Sequence, residues 1–309
     1  MKSDEPKHAY LVTELKNWID IFKLNQRFLT KYIYRGQALN AWELSTSLER
    51  QFKRWSPYLA GKDLLEAHER EVLKEFQWKY PLYALNKPDL DNIVEWLTIM
   101  QHYGTATRML DFTYSIFVAM FVAVAENGES GAIWAINKLP LHFQVFDKYR
   151  EINNVESAGN DILDQFALDQ ANDILLNHRF DHEIKKQLFI IKPNICNERL
   201  SRQQGLFLMP SLISCPFSEC LFSYLQSSEP MEVAFNNLID YSHGAKYRQE
   251  DISLIKIVIP KKLNYIIMKY LREMNITAEL LFPGLEGLAK SLNTARFSIN
   301  YEDDEPIIK

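Results

Sequence analysis

Apolar positions along the 309-residue chain change period several times, and each change marks an element. Between Glu14 and Thr30, Leu15, Trp18, Ile19, Phe22 and Leu29 recur at helical spacing, which predicts an amphipathic helix. Tyr32 to Gln37 (YIYRGQ) is β-favouring and contains a glycine near its end, so it predicts a short strand carrying Arg35. Lys62 to Tyr80 returns to helical spacing, with Leu64, Leu65, His68, Val72, Leu73 and Phe76 as its stripe, and Pro81 stops it. Asp91 to His102 predicts another helix, opened by Asp91 or Asn92 and closed by Gly104. TRMLDFT then reads as a turn or short strand, and Ser115 to Ala125 as a buried helix.

Further on, NGESG is a turn and Ala132 to Asn137 (AIWAIN) a buried or alternating strand. Leu188 to Pro193 and Ser253 to Pro260 are apolar runs ended by proline and predict strands of a core sheet, as does Gln204 to Pro210. Lys262 to Met274 predicts a helix, and ITAELLFPGLEGLAKSL a short segment followed by a last helix. Leu141 to Lys186 is polar, with a helical patch at Ile162 to Leu176, and reads as a surface insertion. No internal repeat or low-complexity tract interrupts the pattern. The expected class is α+β: one large domain, with a central, mostly antiparallel sheet flanked by helices. Its expected limits are 32–292, preceded by a helical extension at 1–31 and followed by a tail at 293–309.

Composition narrows the setting. Hydrophobic residues make up 47% and charged residues 24%, the balance of a globular protein, and the net charge of −5 gives no general attraction to polyanions. Cys196, Cys215 and Cys220 form no disulfide framework, the N-terminus has no apolar signal core, and the longest apolar run, Ile116 to Ala125, has ten residues. A soluble, cytoplasmic protein is expected.

Candidate chemistry concentrates in Trp96 to Ala125, where Gln101, His102, Arg108 and Asp111 stand among apolar residues. Burying such groups is costly unless they pair. One reading is a salt bridge between Arg108 and Asp111 across a tight turn. The other is a concave site on which these four residues converge with Arg35. An arginine fork at a strand end suits phosphate, and Gly36 beside it would let the backbone approach a ligand. His178 and His182 are spaced as a ligand pair, but no third ligand accompanies them, so no metal is expected. Arg50, Lys53, Arg54 and Trp55 form a basic-aromatic cluster of the kind that tracks single-stranded nucleic acid. A solvated helix end over a packed Trp55 is the favoured explanation.

Several pieces together resemble the FRG domain family, named for a Phe-Arg-Gly motif that stands here as Tyr34-Arg35-Gly36. They are YRGQ…WELSTSLER, WLTIMQHYGTATRMLDFTYSIFVAMFVAVA, ERLSRQQGLFL, IKIVIP and LLFPGLEGLAKSL, in order from Tyr32 to Leu292. Tyr34 replaces the phenylalanine of the name, and GTATRM a commoner Gly-Leu-Pro-Thr-Arg-Leu.

The layout also resembles that of ADP-ribosyltransferases, which implies their architecture and NAD as the substrate. Under that resemblance Tyr34, Arg35 and Gly36 would hold NAD together with Gln101, His102, Arg108 and Asp111. Thr113 would be the second-motif hydroxyl, and Gln203 or Gln204 the third-motif residue. Catalysis would then fall to Arg35, Thr113 and Gln204. A glutamine supplies no charge to the positive sugar formed when the nicotinamide bond breaks, so a carboxylate must come from Glu198 or Asp111. The acceptor would be a protein or nucleic acid, and the biological setting a bacterial toxin or antiphage effector. A different expectation from the same cleft is a non-catalytic module that recognises nucleic acid or a protein partner.

Overall fold

A computed structural model of the chain describes residues 9–28, 31–55, 62–126, 128–177, 185–194, 197–225, 229–239 and 252–295. Its strands are β1 (Ala9–Glu14), β2 (Tyr32–Gln37), β3 (Leu110–Thr113), β4 (Gly131–Asn137), β5 (Leu188–Ile191), β6 (Gly205–Pro210), β7 (Met231–Glu232) and β8 (Ile252–Ile259). They form one open eight-stranded sheet in the order β5-β6-β3-β2-β4-β8-β1-β7. Neighbours from β5 across to β8 are antiparallel, and β1 runs parallel to both β8 and β7. The class is therefore α+β with a mostly antiparallel sheet.

The helices before β4 are α1 (Asp20–Phe28), α2 (Ser47–Trp55), α3 (Lys62–Lys79), α4 (Ile93–His102) and α5 (Ile116–Val124). After β4 come α6 (Leu139–Asn153), α7 (Asn160–Asn177), α8 (Glu198–Arg202), α9 (Phe217–Phe222) and α10 (Phe235–Ile239). The last three are α11 (Asn264–Glu273), α12 (Ala278–Leu281) and α13 (Gly284–Ala295). Among the described residues no helix is long and apolar enough to cross a membrane.

Both faces of the sheet are covered, which is why β4 is buried at every position. Strand alternation sends Tyr34, Ile133 and Ile257 to a first face under α1, α5 and α11, and Ile33, Trp134 and Leu254 to a second face with α9. Toward the β5 edge the first face carries a separate core, in which Phe189, Phe207 and Met209 meet α4 and α7.

Three stretches differ from the pattern-based reading. Helix α1 begins only at Asp20, and residues 9–14 of the expected helical extension form β1, inserted between β8 and β7 with Leu11 fully buried. AYLVTE is short, and its main partner, β8, lies near the other end of the chain, so no local signal announced it. The expected surface insertion forms α6 and α7, and α7 is part of the core. Its Ala167, Leu168, Ala171 and Leu175 are buried with α4 and β5. Helix α13 also continues to Ala295, past the expected start of the tail.

Helix α5 is apolar around its whole circumference, and Ser115 Oγ caps it by accepting from Val118 N at 3.3 Å. It lies so close to β2 that a Cβ on Gly36 would stand 1.9 Å from the Ala119 carbonyl oxygen. The glycine of the YRG motif is thus required by helix-on-sheet packing, not by the approach of a ligand. Gly36→Ala is expected to cost at least about 3 kcal/mol in urea unfolding, the upper range of overpacking losses, because backbone cannot rotate aside. A loss under about 1 kcal/mol would mean that α5 can back away from the sheet.

Candidate functional site

Strands β2 and β3 pair at a single position, Tyr34 opposite Thr113. Backbone groups leading into β3 must therefore find partners outside that ladder, and side chains supply them. Ser47 Oγ donates to the Thr107 carbonyl at 3.2 Å, Gln101 Nε2 to the Met109 carbonyl at 3.3 Å, and Arg35 Nη1 to the Asp111 carbonyl at 2.8 Å. Gln101 Nε2 also donates to Asp111 Oδ2 at 3.0 Å, and its Oε1 accepts from Thr107 Oγ1.

Arg35 and Asp111 meet at this seam from opposite sides. Alternation places Arg35 on the second face with Ile33, whereas Asp111, in register with Phe207, projects to the first face toward α4. Arg35 Nη1 stands 3.8 Å from Asp111 Oδ2, with side chains 18% and 56% exposed. Arg35 Nε is buried without a hydrogen-bond partner. Burial lowers the guanidinium pKa, nearby Asp111 raises it, and Arg50 lowers it.

The Asp111 carboxylate lines a cavity of about 190 Å³ together with Gln101, His102, Asn197, Arg199 and Gln203. This is smaller than the ~300–1,000 Å³ typical of a site that encloses a whole small molecule, and leaves room for one polar group or ring. The Arg199 guanidinium lies over the Phe282 ring, 5.0 Å from its centroid. Burial and then the charge of Arg199 lower the pKa of His102, while Glu286 of α13 opposes them. The balance favours the neutral imidazole.

The expected five-residue convergence is only partly present. Gln101, His102 and Asp111 share the cavity, and Arg35 reaches only Asp111, from the other face of the sheet. Arg108 is elsewhere: its Nε lies 2.9 and 3.0 Å from the two carboxylate oxygens of Glu69, and Nη2 completes a bidentate pair with both side chains buried. The alternative reading, an Arg108–Asp111 bridge across the turn, is also not what forms: Arg108 pairs with Glu69 instead. Tyr34 sits in the first-face core, fully buried, and burial raises its phenol pKa.

Thr113 Oγ1 donates to the Gln203 carbonyl at 2.7 Å and accepts from Ser115 N at 3.0 Å, tying β3 to the turn before β6. Of the two candidate glutamines, Gln203 lines the cavity, and its Nε2 donates to the Leu281 carbonyl at 3.1 Å. Gln204 is exposed, at a positive φ of 47° in the turn. Glu198 pairs with Arg202, which leaves Asp111 as the carboxylate in the cleft.

Glu69 was missed by the sequence reading, yet a signal was present. It stands four residues after Leu65 and four before Leu73, on the buried face of α3. A carboxylate there needs a buried cation. Trp55, 64% exposed, is not packed beneath the end of α2. The expected His178–His182 pair lies outside the described residues. Among the described residues no cluster of three or more His, Cys, Asp or Glu could hold a metal ion.

The FRG domain family matches residues 30–131, from just before β2 to the first residue of β4. The chain carries an FRG domain. The match takes in Arg35, Gln101, His102, Asp111 and Thr113, whereas Arg199 and Gln203 lie beyond it. The FRG motif arginine thus buttresses the seam and the cleft carboxylate, and the motif glycine seats α5. No curated protein and no solved structure matches the chain.

The two carboxylates predict stability losses of very different size. Glu69→Ala strands a buried guanidinium and should cost about 3–5 kcal/mol. Asp111→Ala removes a half-exposed, loosely paired group and should cost no more than about 1 kcal/mol. Chemical denaturation of both variants checks this, and equal losses would place Asp111 in the structural core of the seam.

Proposed function

We propose that the FRG cleft binds NAD and transfers its ADP-ribose group to a macromolecular acceptor. The observation that carries this reading is the Asp111 carboxylate, held by Gln101 and Arg35 yet exposed in a cavity that also contains Arg199. Breaking the bond between nicotinamide and ribose leaves positive charge on the sugar, and a fixed carboxylate stabilises that charge more than it stabilises the ground state. Asp111 supplies what a glutamine at the third-motif position cannot. Arg199 supplies a cation for a phosphate of the same ligand, with the rest of the dinucleotide lying across the open mouth. Gln101 and Arg35 act as positioning residues through Asp111. Such an activity suits a toxin or antiphage effector.

A second reading has its own observation. Arg50, Lys53, Arg54 and Trp55 are all exposed along α2, an arrangement that suits phosphate contact and base stacking on a single strand. In that case the protein is a non-catalytic binding module.

Two measurements separate the readings. Under the enzyme reading, NAD at tenfold over its Kd should stabilise the fold by about 1.4 kcal/mol, read as a rise in Tm. Arg199→Ala should abolish the shift. Asp111→Asn should keep it while lowering nicotinamide release and label transfer on the order of a hundredfold. If the wild type shows neither shift nor release, and instead binds an oligonucleotide with a salt dependence that Lys53→Ala and Arg54→Ala reduce, the module reading replaces the enzyme.

A further inference from the structure

Strand direction brings a second polar cluster together where β3, β4 and β5 finish. The antiparallel ladders make these three strands run the same way, with β6 between β5 and β3 and β2 between β3 and β4. Tyr114, Lys138 and Lys192 each follow directly on the last residue of one of them. The Tyr114 ring packs on the second-face core, whereas the Asp111 carboxylate projects to the first face. Lys138 Nζ reaches that ring from the β4 side, 5.3 Å from its centroid, and Lys192 Nζ from the β5 side at 5.6 Å.

Charge is not balanced here. Asp164 of α7 bonds Lys192 Nζ at 2.6 Å, with side chains 16% and 44% exposed. Lys138 is half-buried, rests on the Tyr114 ring and makes no ion pair among the described residues. Burial lowers its pKa first, Lys192 lowers it further, and Asp164 opposes them. One carboxylate thus serves two ammonium groups in a partly buried place, where water and salt screen their repulsion less than in open solvent. A ring face offsets that repulsion only in part, since it carries no net charge. Burial raises the Tyr114 phenol pKa more than Lys192 lowers it, so the hydroxyl keeps a proton to donate. In the first turn of α6, His142 feels the same charges: burial lowers its pKa, Asp164 raises it, and Lys138 and Lys192 lower it.

We propose that Tyr114, Lys138 and Lys192 form a binding site for a terminal phosphate group, as carried by free phosphate and by phosphomonoesters. Ammonium groups arriving from either side of one phenol give a tetrahedral anion charge-assisted hydrogen bonds on different oxygens. With His142 protonated by the arriving anion, the three cations exceed Asp164 by two charges, which matches a doubly charged phosphate. A phosphodiester carries a single charge and leaves one cation unmatched. The site lies apart from the Asp111 cleft and does not rest on that cleft binding NAD.

The test is calorimetric titration of the full chain near neutral pH, in phosphate-free buffer at matched ionic strength. Inorganic phosphate, phenyl phosphate and dimethyl phosphate are the probes. The first two should bind saturably, and dimethyl phosphate about tenfold more weakly or worse, the scale of one lost charge-assisted hydrogen bond. Lys138→Met should weaken phosphate binding by about tenfold or more. In phosphate-free buffer the same variant should keep or raise Tm, because it relieves repulsion with Lys192. Asp164→Asn should tighten phosphate binding, a direction that a purely structural cluster does not produce. Absence of saturable phosphate binding, or binding unchanged in Lys138→Met, overturns the proposal. So does dimethyl phosphate binding as tightly as phosphate, because the ligand would then be a diester. Phenyl phosphate binding more tightly than phosphate upholds the site with an organic monoester as its source, and weaker or equal binding upholds it with free phosphate.

Discussion

Between β2 and β3 the sheet is held by one residue pair, Tyr34 opposite Thr113, with β4 and β8 on one side of the seam and β6 and β5 on the other. A sheet cannot leave backbone carbonyls unsatisfied where its ladder stops. Three side chains from three different elements take those of Thr107, Met109 and Asp111: Ser47 at the start of α2, Gln101 at the end of α4, and Arg35 on β2. The same bonds fix where α2 and α4 sit. The cleft is thus a consequence of how the seam is closed. Side chains reach across instead of a strand, and the space beside them stays open to solvent.

Two arginine–carboxylate arrangements flank this region and behave differently. Arg108 and Glu69 are both buried and form a bidentate pair closed off from solvent. Taken out of water, the pair stabilises little on balance, but losing one member leaves a bare charge inside the protein. Arg35 and Asp111 are looser, at 3.8 Å, with the carboxylate half in solvent and the guanidinium Nε unpartnered. Screening by water makes that pair weak as a stabilising contact. Its value lies in orientation: a carboxylate bonded by Gln101 and faced by Arg35 keeps its free edge toward the cavity.

What the sequence disclosed follows the range over which each signal acts. Strands such as AIWAIN and SLIKIVIP, and the helix capped by Ser115, were legible because burial on both faces leaves a continuous apolar run bounded by turn residues. Strand β1 was not, since its partners lie at the far end of the chain and six residues carry too little pattern. The helical patch of α7 was legible, but its place in the core was hidden by its exposed side, which is rich in Asn, Asp and Gln, although Ala167, Leu168, Ala171 and Leu175 already marked a face. At the site, the grouping of Gln101, His102 and Asp111 was readable from one short helix and the turn after it. The partner of Arg108 was misplaced because proximity in sequence favoured Asp111, whereas burial favoured Glu69, 39 residues upstream. The faces of Arg35 and Asp111 required the register, which alternation alone cannot supply across a broken ladder.

The cleft also joins parts of the chain that are remote in sequence. Asp111 and Gln101 come from the FRG-matched segment, while Arg199 and Gln203 come from α8 and the turn before β6. Their relative position is set from two sides. The β3–β6 register pairs Asp111 with Phe207 and Thr113 with Gly205, and Thr113 Oγ1 adds its bond to the Gln203 carbonyl. From the C-terminal side, Arg202 Nη1 donates to the Leu280 carbonyl at 3.1 Å, Gln203 Nε2 to that of Leu281, and Arg199 rests on Phe282. These contacts to α12 are mostly polar and partly exposed, weaker than the strand ladder opposite. The carboxylate end of the cleft is therefore its fixed wall. The cationic end, seated on α8 and α12, is the wall with the smaller energetic resistance to adjusting around a ligand.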